Sequence, residues 1–250
     1  MSDVSINPSD NHVAVVSLRR PPNNFFDTEL LRQLADAYEE LGQSDWCRVI
    51  VLAAEGKNFC AGLDFAANAG QDIAALYGHA LRLFAAPLPV VAAVQGAAVG
   101  GGLGLALSTD FRIATPESRF SANFARLAFH HGFALTVTLP RAIGAQRAAD
   151  LLYTGRRLGG EEALAFGLCD ELVEGADLLK RAEHYAASIA ASGPLAVRSI
   201  RATLREGLAE ACRAAMEHEC AEQERLRFSQ DFAEGIRANA ERREPRFTGQ

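Results

Sequence analysis

Between Pro89 and Ala106 the chain reads PVVAAVQGAAVGGGLGLA. A β-branched run passes through Gly96 into three consecutive glycines, Gly100, Gly101 and Gly102, and then into Leu103-Gly104-Leu105-Ala106. This order predicts a buried strand that delivers the backbone to the start of a buried helix, with glycine where the main chain approaches something closely. First-turn amides have no partner inside a helix and carry the positive end of its dipole, so the stretch could stabilise negative charge on oxygen. Proton movers are sparse nearby. His130 and His131 adjoin in Leu127-Ala128-Phe129-His130-His131-Gly132, and an imidazole titrates near neutrality, where it can serve a carbon acid. Tyr77 and His79, on a predicted helix, are the other acid/base candidates. Each has a plainer reading, a hydrogen-bonding loop histidine or a packing residue.

Other readings of the glycine-rich stretch fit less of it. A membrane span is interrupted by Pro87, Pro89, Gln95 and the glycines. A dinucleotide loop has its G-x-G at Gly102-Leu103-Gly104, but the third glycine position is Leu107, or Leu105 counted from Gly100. Close packing of a helix on a sheet, without chemistry, needs the same glycines.

Length and composition narrow the class. The 250 residues can bury a full core as one large or two modest domains, and 49% hydrophobic with 22% charged residues is a globular composition. A net charge of -6 and a pI near 5.6 argue against a nucleic-acid surface. Arg225, Arg227, Arg242, Arg243 and Arg246 are interleaved with glutamates, as on a solvated helical face. The N-terminus has neither a basic start nor an apolar core, so no secretion signal is expected. Five cysteines, Cys47, Cys60, Cys169, Cys212 and Cys220, lack a C-x-x-C and are expected as free thiols in a reducing, cytoplasmic compartment. No His/Cys cluster suggests a metal.

The elements that must position these groups follow from periodicity. Val13 to Leu18 alternates as a strand; Asp27 or Thr28 caps a helix running to Gly42; Arg48 to Ala54 is a β-branched strand. A strand, helix, strand unit implies parallel strands in an α/β layer. Gly56 to Asp64 reads as a turn, a short extended segment and another turn. Ile73 to Phe84 reads as a helix; Phe111 to Ala114 and Arg119 to Ala122 as strands; Ala134 to Ile143, Gln146 to Thr154 and Gly159 to Phe166 as helices; and Cys169 to Val173 as a last strand. From Ala176 the chain is nearly all helical, with breaks at Gly193-Pro194 and near Phe228. The expected organisation is an α/β body, 1–193, and a helical region, 194–250.

The chain resembles the crotonase family, the enoyl-CoA hydratases and isomerases. The matching pieces are Arg20-Pro21 before Asn23-Asn24; Gly56-Lys57-x-Phe59-x-Ala61-Gly62-x-Asp64; Pro89 to Gly96 through Gly100-Gly101-Gly102; Leu139-Pro140-Arg141 with Ile143-Gly144; Leu151 to Arg156; Ala163-x-x-Phe166-Gly167-Leu168; and Pro245 to Gly249. They span nearly the whole chain. The resemblance implies a spiral of ββα units with a helical C-terminal region that packs in homotrimers, often paired into hexamers. It implies an acyl-CoA thioester as substrate, with CoA part of that substrate and no separate cofactor, in reactions such as those of fatty acid metabolism. It also implies that the Leu63 and Gly101 N–H groups hold the thioester oxygen, with Arg20, Lys57, Ala61, Gly62, Asp64, Gly102 and Phe124 around the substrate. Such a pair of preorganised donors stabilises an enolate oxygen.

Its usual proton-transfer groups are missing. Of the two glutamates that hold water in the hydratases, the first position is Gly104 and the second Phe124; the acid that some isomerases use farther along falls at Gly132. Between Gln95 and Ala149 the acids are Asp110, which ends a helix, and Glu117, in a polar turn, both with structural readings. The dehalogenase branch of the family places a histidine where Tyr77 stands and an aspartate where Gly132 stands. What remains for acid/base work is His130, His131 and Tyr77, with Arg126 available to meet an acidic acyl group. The expected activity is enolate-stabilising acyl-CoA chemistry of the isomerase or lyase kind. The alternatives are a silent acyl-CoA-binding homologue, or a CoA-thioester hydrolase or decarboxylase.

Overall fold

The computed structural model describes residues 2–64 and 72–250. Val4–Ser9 (β1) and Val13–Leu18 (β2) form an antiparallel hairpin, followed by Thr28–Gln43 (α1) and Val49–Ala54 (β3). Ile73–Phe84 (α2) precedes Val90–Val94 (β4), Ala97–Val99 (β5), Gly101–Ser108 (α3), Phe111–Ala114 (β6) and Arg119–Ser121 (β7). A 3-10 segment, Asn123–Leu127, leads to Leu135–Ile143 (α4), Ala145–Thr154 (α5), Arg157–Gly159 (β8), Gly160–Phe166 (α6) and Glu171–Leu172 (β9). Four helices follow: Leu178–Ala190 (α7), Pro194–Leu204 (α8), Leu208–Leu226 (α9) and Gln230–Glu241 (α10).

Six strands form the main sheet in the order β1-β2-β3-β4-β6-β9, with every pairing after the first hairpin parallel. The parallel strands need crossovers, and α1 and α2 supply two of them. Alternation along β2 sends Ala14, Val16 and Leu18 toward the main core, and Val13 and Val15 to the opposite face. That second face is covered by α7, whose Ala182, Ala186 and Ala190 recur every four residues and let the helix approach the sheet closely. β1 escapes the sequence reading because its VSINPS carries a proline and little apolar weight. It is an edge strand, the place where a proline is tolerated.

A second sheet of three short strands, β5-β7-β8, branches off where β4 ends at Gln95-Gly96. This separation matters for the site. The run from Pro89 forms two strands in two sheets rather than one, and only the second delivers the chain to α3. The helical end is fastened unevenly. α9 packs on α2 and α4 and adds Leu208, Cys212 and Met216 to the main core. α8 has no buried residue; its Arg201 and Arg205 instead reach Asp110, each at 2.9 Å. Asp110 also accepts from the Val90 N–H at 2.9 Å, so its structural reading holds. The five cysteines are free thiols; burial pushes the Cys60 thiol up to about 12. No helix among the described residues is long and apolar enough to cross a membrane.

Candidate active site

Two backbone segments are stitched side by side. The Cys60 N–H donates to the Ala97 carbonyl at 3.0 Å and the Val99 N–H to the Cys60 carbonyl at 3.1 Å, so the 60–62 segment runs beside β5. On its other side the Ala61 N–H donates to the Asn23 carbonyl at 2.9 Å, and the Phe26 N–H to the Gly62 carbonyl at 3.0 Å. β5 then ends at Gly100, whose φ of 57° is a turn that glycine makes at little cost, and α3 begins. Gly102 is the close approach: a Cβ there would lie 2.0 Å from the Cys60 carbonyl oxygen. A Cβ at Gly62 would come within 3.3 Å of the Gly101 nitrogen. The chain therefore brings Leu63 and Gly101 onto one cavity of about 210 Å³. Neither N–H has an acceptor among the described residues.

The rest of the wall is apolar. Phe25, Phe26, Phe124, Leu127, Phe129 and Phe133 contribute, and Ile236 of α10 closes one side. At Gly104 a Cβ would meet the Phe133 Cβ at 2.5 Å, so the Phe133 side chain fills the space that a longer residue would need. The Phe133 ring also stands 5.5 Å, centroid to centroid, from that of Phe26. The Phe124 ring lies beside Gly100. Positions 104 and 124 are thus dry.

Tyr77 is the one acid/base candidate that reaches the cavity. Its hydroxyl donates to Gln223 Oε1 at 2.9 Å, and Gln223 Nε2 donates to the His130 carbonyl at 3.0 Å. A Cβ at Gly132 would sit 1.8 Å from the Tyr77 oxygen, so the phenol occupies the volume of the missing side chain. Burial, then the nearby Glu219 carboxyl, raises the phenol's pKa far above its usual value. The group is a neutral hydrogen-bonding acid at any ordinary pH. Among the described residues lining the cavity, Asp64 and Tyr77 alone are titratable.

The histidines are elsewhere. Phe133 and Ala134 take left-handed conformations, and the wall is built from Phe129, Gly132 and Phe133, while His130 and His131 are not part of it. Their rings stack at 4.2 Å, with His218 edge-on to His130 at 5.9 Å. His130 Nδ1 is 2.7 Å from the His131 carbonyl oxygen, and His131 Nε2 is 2.9 Å from the Thr136 hydroxyl. That hydroxyl in turn donates to Glu219 at 2.6 Å. Burial, then the neighbouring histidines, pushes His131 down to about 4. Glu219 itself is fully buried and also receives the Ala134 and Thr136 amides at 2.9 and 3.0 Å; burial raises its pKa. Sequence reasoning missed Gln223 and Glu219. Their spacing on α9, one helical turn apart in a run of charged residues, looks like any solvated face until α9 is docked.

The remaining candidates divide. Ala61, Gly62, Asp64 and Phe124 line the cavity, as Leu63 and Gly101 do. Gly102 lies one residue further along α3, against the Cys60 carbonyl, and is not part of the lining. Arg20 is already engaged, with ion pairs of 2.7 Å to both Asp3 and Asp27. Lys57 is exposed beside the turn that Asn24 pins in place, with Asn24 donating to the Glu55 and Asn58 carbonyls at 2.8 and 2.7 Å. His79 lies 3.2 Å from Arg82 on the outer side of α2. Arg126 sits at the far rim, 3.9 Å from Glu244. Among the described residues no group of His, Cys, Asp and Glu could hold a metal ion.

Comparison with known proteins agrees with this architecture. The enoyl-CoA hydratase/isomerase family model matches residues 9–250. The chain is 34% identical over 249 residues to an enoyl-CoA hydratase/isomerase homologue of Bacillus subtilis, covering 96% of each chain. It is 32% identical to a crotonyl-CoA hydratase of Syntrophomonas wolfei, covering 95% of each. The solved structure of an enoyl-CoA hydratase/isomerase from Pseudoalteromonas atlantica superposes with a TM-score of 0.90 at 29% identity, covering 98% of this chain and all of the other. This chain belongs to the crotonase family of enoyl-CoA hydratases and isomerases.

Proposed function

We propose that the chain acts on an acyl-CoA thioester, holding the carbonyl oxygen between the Leu63 and Gly101 N–H groups while charge builds on that oxygen as an enolate. The observation that carries this reading is the pair of amides without acceptors on one small apolar cavity. Donors fixed in a dry site need no reorganisation during reaction, and loss of one such donor typically costs about 100- to 1,000-fold in rate. Ala61, Gly62, Gly102 and Asp64 hold the donor loops, and Lys57 meets the CoA phosphates. Arg20, already tied to Asp3 and Asp27, braces its turn. The chain needs no separate cofactor, and its helical end assembles copies into a trimer or hexamer.

Proton transfer is assigned to Tyr77. Gly104 and Phe124 stand where hydratases of the family keep glutamates, and apolar side chains fill that space. A neutral phenol held by Gln223 delivers a proton to, or hydrogen-bonds, the reacting end of the acyl group. His130 and His131 brace the wall that carries Gly132. The favoured reaction is a lyase step: the bond broken next to the α-carbon leaves its electron pair in the enolate, Tyr77 gives that carbon a proton, and the phenolate takes one back from solvent.

The test uses purified protein and a panel of short, branched and aromatic enoyl-CoA thioesters in heavy water, with products read by mass spectrometry. Deuterium uptake or a gain of water supports the reading, and Tyr77→Phe should slow it by about 10²- to 10⁴-fold. Thioesters that bind with every mass unchanged would replace it with a silent binding homologue. Release of free CoA thiol would replace it with a hydrolase.

A further inference from the structure

Asn123, Leu127 and Asn239 belong to two walls at once. They line the cavity beside Leu63 and Gly101, and they line a second cleft of about 280 Å³ whose lining also includes Arg119, Arg126 and Arg157. The two clefts therefore meet at a pair of carboxamides. The Asn123 oxygen lies 3.3 Å from where a Cβ on Gly100 would be, next to the start of α3. Neither carboxamide has a hydrogen-bond partner among the described residues.

The arginines are placed by the small sheet. In the antiparallel β7-β8 pairing, Arg119 faces Gly159 and Ser121 faces Arg157, so Arg119 and Arg157 share one face on diagonal positions. Arg126 follows on the 3-10 segment, with its stem across Gly155, where a Cβ would meet the Arg126 Cγ at 2.7 Å. Some of the chain's arginines are closely paired: Arg32, Arg82, Arg156 and Arg181 each have a carboxylate within 2.7 Å. Here no ion pair is formed by Arg119 or Arg157 among the described residues, and Arg126 has only the distant Glu244, itself 87% exposed. Beside these three the cleft is lined, among the described residues, by Arg243, which is paired with Glu234 and Glu241, and by a single acid, Glu244, so the excess of positive charge suits an anion from outside.

We infer that the acyl group of the substrate ends in a carboxylate, which passes Asn123 and Asn239 and is received by Arg119, Arg126 and Arg157. This inference rests on the acyl-CoA reading above and adds the substrate class to it. The apolar cavity takes the methylenes next to the thioester, the carboxamides bridge the change in polarity, and the guanidinium groups bind the far carboxylate. A phosphate of CoA is the other anion such a cleft could hold.

The experiment is calorimetric titration of the whole chain with two saturated, unreactive thioesters of equal length, pentanoyl-CoA and glutaryl-CoA. Glutaryl-CoA should bind about ten- to a hundredfold tighter, the worth of charge-assisted hydrogen bonds to one carboxylate. The gap should close in Arg126→Ala and in Arg157→Ala, and part of it should survive in Arg126→Lys, which keeps the charge. Equal affinity for the two ligands in the native chain overturns the inference while leaving the acyl-CoA reading intact. If the variants weaken both ligands alike, and dephospho-CoA thioesters no longer sense them, the arginines hold a CoA phosphate and the inference is wrong. If neither thioester binds, the acyl-CoA reading falls and this inference with it.

Discussion

A single methyl group at position 132 tests the central geometry. In Gly132→Ala the new Cβ would lie 1.8 Å from the Tyr77 oxygen and 2.5 Å from Gln223 Nε2. Ordinary contact is about 3.5 Å, so the phenol must retreat by more than an ångström or the 129–133 segment must move. Neither is free: the Tyr77 hydroxyl would lose its 2.9 Å bond to Gln223, and Phe133 is packed against Phe26. Overpacking of this kind costs about 1 to 3 kcal/mol. Tyr77→Phe alone removes the hydroxyl and leaves Gln223 Oε1 without its donor, a loss of about 1 kcal/mol. Combining the two relieves the 1.8 Å collision; what remains are Gln223 Nε2 at 2.5 Å, the end of a flexible side chain freed of its hydroxyl partner, and the Tyr77 Cζ at 3.0 Å. The double variant should therefore be more stable than the sum of the two losses predicts, by about 1 kcal/mol or more. The assay is urea unfolding of all four proteins under one set of conditions, read as midpoints with unchanged slope. Strict additivity, within about 0.3 to 0.5 kcal/mol, would show that the hydroxyl does not fill that space, and the argument for Tyr77 as the proton donor would lose its footing.

Four other outcomes follow from the same contacts. Asp110→Asn should destabilise the protein by about 3 to 5 kcal/mol, because it leaves the guanidiniums of Arg201 and Arg205 without their counter-charge, each with a buried nitrogen that has no partner. Hydrogen exchange should show α8 opening before the sheet, and equal protection of both would contradict its lack of apolar anchorage. Glu219→Gln should cost about 1 to 3 kcal/mol in thermal unfolding, since an amide cannot accept from the Ala134 amide, the Thr136 amide and the Thr136 hydroxyl together. His131 has a folded pKa of about 4, below its unfolded value near 6.5, so the unfolded chain takes up the proton first. Its contribution is complete above pH 6.5 and is lost between there and pH 4, by up to about 3 kcal/mol. The raised pKa of Glu219 works in the opposite sense at the acid end, where the folded state holds that proton more tightly. A pH series of unfolding midpoints should flatten in this window for His131→Gln, and an unchanged slope would remove His131 from the account.

What the sequence discloses here is what short-range chemistry dictates. Asp27 as a helix cap, the parallel β2-β3 pairing and the glycine run opening α3 were all readable, because each depends on residues within one element or one turn. The place of the Leu63 loop beside Gly101 was readable only through the family resemblance. Two adjacent histidines beside a pocket look like chemistry in the sequence, but where they lie depends on the turn that follows: Phe133 and Ala134 are left-handed, and Phe129, Gly132 and Phe133 line the cavity while His130 and His131 do not. Gln223 and Asn239 were invisible, since their relevance depends on helices folding back over the cavity from far along the chain.

That folding-back has a consequence for how the molecule comes into being. The cavity draws on short stretches of chain from Phe25 through Tyr77, Gly101 and Phe133 to Gln223, and α10 contributes Ile236, Asn239 and Ala240. A nascent chain that has already closed its sheets still presents an open trough of phenylalanines to the surroundings. Binding competence and concealment of that greasy surface thus arrive in the same event, the docking of α10. Until then the half-made protein exposes that apolar surface, the condition in which partly folded chains of this size are prone to aggregate.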